Sequence, residues 1–194
     1  MKKLDSTWYN MLIVLTAIAV IAGAALGYAN ELTSGPIAEN KARQLADGIK
    51  TVMNTDEVEV QRVDTVGASV VYHTSQGVAV QAKDANAFGG TLTILVGFDA
   101  KGTILGYQIL ETSETPGLGA KADKWFQKGE KGDIVGKNPV EPLTVSKDGG
   151  QVDAITASTI TSRAFLLAVN NAYTAYKATP STDAETGATK QTEN

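Results

Sequence analysis

The sequence predicts an α+β protein, an antiparallel sheet with packed helices, preceded by one N-terminal transmembrane helix. Three patterns predict it. Met11 to Tyr28 is an apolar run without a single charged residue. Between Glu57 and Leu110 apolar residues alternate in short segments separated by turn residues, the period of half-buried strands. Thr161 to Lys177 then returns to helical spacing.

As a helix the first run spans roughly 27 Å, close to the thickness of the hydrocarbon core. Lys2 and Lys3 precede it, Glu31 follows, and the next basic residue is Lys41. The positive-inside bias therefore puts residues 1–10 in the cytoplasm, 11–29 in the membrane, and the chain after about Asn30 on the periplasmic, outer face. A cleaved signal peptide ending near Gly27-Tyr28-Ala29 is the competing reading, but the apolar run exceeds the roughly 7–15 residues of a signal core. Ala19, Gly23 and Gly27 share one helical face and permit close packing on a neighbouring membrane helix.

A second helix is expected to start at Ser34-Gly35-Pro36, with the proline in its first turn. Ala38, Ala42, Leu45, Ile49 and Val52 form its apolar stripe. Five strand segments follow. Glu57–Val63 alternates as a half-buried strand, Val70–Tyr72 and Gly77–Ala82 pair across Thr74–Gly77, and Leu92–Phe98 and Ile104–Leu110 pair across Asp99–Gly102. Consecutive hairpins imply an antiparallel sheet and not a βαβ fold. His73 reads as a surface or turn residue. Trp125-Phe126, on a short helical segment, reads as core, with stacking on a cofactor ring as the weaker alternative. Residues 132–150 read as a loop with edge strands around Asp133–Val135 and Pro142–Val145. In the last helix Phe165, Leu166, Val169, Ala172, Tyr173 and Tyr176 share the face that docks on the sheet. The polar tail, 178–194, carries no apolar periodicity and is expected to be disordered.

Composition limits the chemistry. At 194 residues and a net charge of -4, with no basic block, the chain has no nucleic-acid footprint. It has no cysteine and one histidine, so thiolate-held iron–sulfur clusters, cysteine zinc sites and disulfides are excluded, and no metal site is expected. A redox role would need an organic cofactor held by hydroxyl, backbone and apolar groups.

Such groups crowd one place. Asp153-Ala154-Ile155-Thr156-Ala157-Ser158-Thr159-Ile160-Thr161-Ser162 puts hydroxyls at a helix entrance, where unpaired N–H groups and the helix dipole favour a phosphate. The ordinary alternative is a Ser/Thr cap. The run resembles the flavinylation motif of the FMN-binding subunits of two related membrane complexes: the G subunit of the Rnf/Rsx electron transport complex and the C subunit of the sodium-pumping NADH:quinone reductase. In that family an Asp, two residues, Ser or Thr, Gly and Ala precede a Thr esterified to the FMN phosphate. Asp153, Thr156 and Thr159 match, while Ala157 and Ser158 stand in place of Gly-Ala. Glu114-Thr115-Pro116-Gly117-Leu118-Gly119 is similar to a second family segment, and Phe88-Gly89-Gly90 to its glycine-bearing strand entry, or else to a loop needing positive φ. The likeness extends from about Met11 to Tyr176 and is strongest to the Rnf-type protein.

The resemblance implies FMN held covalently on Thr159, with Thr156, Ser158, Ile160 and Thr161 around the phosphate and Glu114, Thr115, Gly117 and Leu118 facing the ring. Glu114 either bonds to the ring or fixes its turn, the latter being favoured. Asp183–Thr189 fits the bare consensus more literally, but it has Glu185 in place of an apolar residue and no helix after it; Thr159 is therefore the assigned acceptor, with Thr189 and Thr161 as alternatives. The implied function is electron relay within a ferredoxin:NAD-type ion-translocating complex of the bacterial inner membrane. The other subunits and a flavin transferase are its partners, residues 30–177 form the FMN-binding domain, and no catalytic residue of its own is needed. The C subunit of the quinone reductase, or an anchored non-redox scaffold, are the alternative functions.

Overall fold

The computed structural model describes residues 7–179. Lys2 and Lys3, residues 180–194 of the tail and the alternative acceptor Thr189 lie outside the described residues, while Ala178 still belongs to the last helix. Helix α1 runs unbroken from Trp8 to Met53, with Pro36 inside it. The expected new start at Ser34 is thus corrected. Thr33 Oγ1 donates to Ala29 O at 2.8 Å and Ser34 Oγ to Glu31 O at 3.0 Å. These hydroxyls bond back onto the preceding turn, so neither caps a new helix.

Among the described residues α1 is the one helix long and apolar enough to cross a membrane, and Leu12, Ile13, Leu15, Ile18, Ile21 and Leu26 are each more than half exposed along it. The chain divides into two compact units between Gln44 and Leu45. Of the predicted α1 stripe, Ala38 and Ala42 are exposed and only the part from Leu45 onward packs. The helix ends at Asn54, whose φ of 54° is left-handed, a conformation asparagine tolerates at a helix C-terminus.

In the second unit, five strands form one antiparallel meander in the order β1-β2-β3-β4-β5: Val60–Val66, Ser69–Thr74, Gly77–Ala87, Gly90–Phe98 and Ile104–Glu111. The end of α1 covers one face, with Ile49, Val52 and Met53 against Ala79 and Leu95. Gly97 allows this approach, because a Cβ there would run into the Val52 carbonyl. Helix α3, Thr159–Ala178, covers the other face. Its Phe165, Leu166, Val169 and Ala172 join Val80, Ile94, Val96 and Phe98 in the main core, as the periodicity predicts. Every residue of β4 from Leu92 to Phe98 is buried, so this strand is sandwiched between the two helices. Each large apolar side chain buried there contributes roughly 1.5–3 kcal/mol.

Three further expectations are corrected. β1 begins at Val60 and is an edge strand, most of it exposed, with Val63 54% exposed. His73 is buried, not superficial, with Nε2 3.0 Å from Asp64 Oδ2 across the β1–β2 pair. No strand forms in 132–150; one isolated bridge joins Val145 to Val152. The Asn170 carboxamide on α3 replaces a strand neighbour: its Oδ1 accepts from Leu143 N at 2.9 Å and its Nδ2 donates to Leu143 O at 3.0 Å.

Candidate functional site

At the N-terminus of α3 the backbone turns sharply. Ala157 has φ 63°, in the left-handed region where glycine is at ease. The position is the one where the flavinylation pattern has glycine. Ser162, one turn into α3, locks the bend: its Oγ accepts from Ile155 N at 2.9 Å and donates to Ser158 O at 2.9 Å. Ser158 is the N-cap, yet its hydroxyl makes no bond to the first-turn amides. Ser158 is therefore not an ordinary side-chain cap of α3.

Opposite lies the turn 112–119, which enters a short helical stretch: a 3-10 turn at Gly119–Lys121, then α2 at Ala122–Trp125. Tyr107 of β5 anchors it, donating to Ala122 O at 2.6 Å and accepting from Phe126 N at 3.2 Å. Burial pushes the Tyr107 phenol well above its ordinary value, which keeps the donor protonated. Glu114 is only 8% exposed, and its Oε1 accepts from Gly89 N at 3.3 Å, tying the turn to the β3–β4 hairpin. Gly119 is where Glu114 and α3 close in; an added Cβ would collide with the Glu114 carboxylate and lie 2.8 Å from Thr161 Oγ1.

Between these walls is a cavity of about 350 Å³, lined by Phe88, Glu114, Thr115, Leu118, Gly119 and residues 157–161. Its volume lies at the lower end of the roughly 300–1,000 Å³ of small-molecule sites. The rim is apolar: Phe88 is 71% exposed, and Leu118 and Ile160 are about half exposed. The other end is hydroxylic, with Ser158, Thr159 and Thr161. Thr159 Oγ1 accepts a hydrogen bond from Lys147 Nζ at 3.2 Å.

The predicted residues Glu114, Thr115, Leu118, Ser158, Thr159, Ile160 and Thr161 thus meet around one cavity. Gly117 and Thr156 do not line it. Gly117, with φ 78°, turns toward an adjoining groove with Pro116, Lys121 and Trp125, and Thr156 is exposed. Asp153 holds the loop: its Oδ1 accepts from Ser146 Oγ at 3.1 Å and its carbonyl from Trp125 Nε1 at 2.8 Å. Phe126 is core, stacked on Phe165 at 4.3 Å between centroids. Sequence reasoning missed Phe88, Gly119, Ala157 and Lys147 as site residues. The first three lay inside stretches already marked by their glycines or hydroxyls; Lys147 had no signal.

Among the described residues no cluster of potential metal ligands occurs. A sheet backed by two helices, a half-apolar cavity and hydroxyls at a helix entrance define a domain suited to a phosphate-bearing organic cofactor. The family model of the FMN-binding domain matches residues 88–174, from the cavity rim at Phe88 through most of α3. The G subunit of the ion-translocating oxidoreductase complex of Aliivibrio fischeri (strain ATCC 700601 / ES114) is 32% identical, over 87% of this chain and 89% of its own length. The corresponding G subunits of Cereibacter sphaeroides, 28% identical over 84% of this chain and 82% of theirs, and of Cronobacter sakazakii, 41% identical over 51% and 49%, are also similar. The chain belongs to the G-subunit family of ion-translocating oxidoreductase complexes. It is an inner-membrane protein with an FMN-binding domain and a redox component of a larger enzyme complex.

Proposed function

We propose that this chain relays electrons within a membrane complex of the ferredoxin:NAD type through FMN esterified by its phosphate to Thr159. The observation that carries this reading is the joining, in one cavity, of the Thr159 hydroxyl and an apolar rim. The residues fit the group. Phe88, Leu118 and Ile160 offer apolar surface to a planar ring, and Thr115 and Glu114 stand at its polar side. The first-turn amides of α3 have no side-chain cap, which leaves donors for an anion. The helix dipole adds about 0.3–1 kcal/mol toward that charge. FMN supplies the electron-transfer chemistry, while the protein positions the ring and keeps it from diffusing away.

Residues 11–29 anchor the chain in the bilayer, and 30–177 form the domain on the periplasmic face. The flavin is attached there by a separate transferase, and the neighbouring subunits provide donor and acceptor. Similarity to several G subunits of ion-translocating oxidoreductase complexes favours this assignment over the C subunit of the quinone reductase. Full-length protein co-produced with a flavin transferase should give a band that fluoresces under ultraviolet light after denaturing electrophoresis. Thr159→Ala should abolish the band. Fluorescence that survives the substitution moves the acceptor to Thr161 or Thr189; a dark wild-type band leaves a non-redox scaffold.

A further inference from the structure

We infer that Lys147 is the cation that receives the phosphate carried on Thr159, an inference that rests on the attachment proposed above. Lys147 Nζ already donates to the acceptor oxygen, Thr159 Oγ1, at 3.2 Å. Esterification joins the FMN phosphomonoester to Thr159 Oγ1 with net loss of water, and the resulting phosphodiester places one negative charge at the very atom this ammonium contacts. An ammonium held against a neutral hydroxyl then faces a negative charge, and the contact becomes an ion pair with the phosphate oxygens.

The lysine is held in place by its turn. It occupies the 3-10 turn Ser146–Asp148, which is tied to α3 and the motif loop on both sides. Asp148 receives two bonds from Arg163, from Nε at 2.7 Å and from Nη2 at 2.6 Å. Ser146 N donates to Val152 O at 2.8 Å, and Ser146 Oγ to Asp153 Oδ1 at 3.1 Å. With both Asp148 oxygens bonded to Arg163, the ammonium is turned to a neutral hydroxyl. The role of Asp153 follows from the same geometry: it lies outside the cavity and steadies the turn that carries Lys147.

The test uses full-length protein co-produced with a flavin transferase. Lys147 acylation by an amine-reactive ester, mapped by peptide mass spectrometry, should be about threefold to tenfold slower in loaded wild type than in unloaded Thr159→Ala. The phosphorus resonance of the loaded protein should shift in Lys147→Gln and return in Lys147→Arg. Equal acylation rates in the loaded and unloaded proteins would overturn the inference, as would a resonance indifferent to both substitutions. Should Lys147→Gln fail to load or fold, the acylation comparison, which leaves Lys147 intact, decides alone. A wild-type Thr159 peptide of unmodified mass overturns the underlying attachment, and the inference with it; that outcome is read before any lysine measurement.

Discussion

Ala157 carries a backbone conformation that costs an L-residue roughly 1–2 kcal/mol. Glycine has no such penalty, although it loses more entropy on folding, so Ala157→Gly should raise stability by up to about 1 kcal/mol in urea unfolding. A loss of stability would mean that the Ala157 methyl packs in the cavity wall. Asp148 tests the other side of the site. The Arg163 hydrogen bond and charge hold its carboxyl below the ordinary value, against a smaller opposing effect of burial. A depressed carboxylate stabilises the fold above its unfolded pKa of about 4, and that contribution disappears as pH falls through the depressed value. Asp148→Asn should therefore lower stability at pH 7, and the gap from wild type should close as pH falls below about 4 and through the depressed value. The pair is exposed, so added salt should shrink the gap as well. At this scale the hydroxyl cluster alone left an ordinary cap open, and only the family resemblance singled out Thr159, which lines the cavity. Lys147 was not singled out, because a lysine in a Gly-rich turn looks like any solvated side chain until the turn is folded onto α3.

The strands and α3 could be read from period alone, since alternation and helical spacing follow directly from which face is buried. Other elements were misread where a local signal had another use. Ser34-Gly35-Pro36 looks like a helix start, but the hydroxyls there serve the turn behind them. The alternation of β1 gave no hint that most of the strand is exposed. Pro142–Val145 has strand composition, yet beyond the single bridge from Val145 to Val152 its partner, at Leu143, is the side chain of Asn170. Asn170→Ala should leave the Leu143 amide and carbonyl without those bonds and cost about 1–3 kcal/mol, measured by denaturant unfolding. An unchanged midpoint would show that water replaces both. Gly89 is a second elemental contact. A Cβ there would strike the Ser113 carbonyl and the Glu114 amide, so Gly89→Ala should force the hairpin from the 112–119 turn and reduce flavin loading. Full loading with unchanged stability would mean that the two walls move apart freely.

In the whole molecule a membrane-spanning helix precedes a domain whose sheet is covered on both faces, and the cavity opens where two segments distant in sequence meet. The segment from Glu114 to Gly119 and the segment from Ala157 to Thr161 are brought together by the packing of α3 on the main sheet face. That convergence explains why two short motifs could point to the proposed acceptor and its facing wall, but not to Phe88 or Lys147. The wall at Phe88 comes from a hairpin tip whose position depends on Glu114. On the proposed function Thr159 carries the flavin. Peptide mass spectrometry of the protein taken from membranes that contain the transferase tests it most directly. The peptide bearing Thr159 should be heavier by one FMN less water, and the mass should localise to that residue on fragmentation; a peptide of bare amino-acid mass would contradict the account.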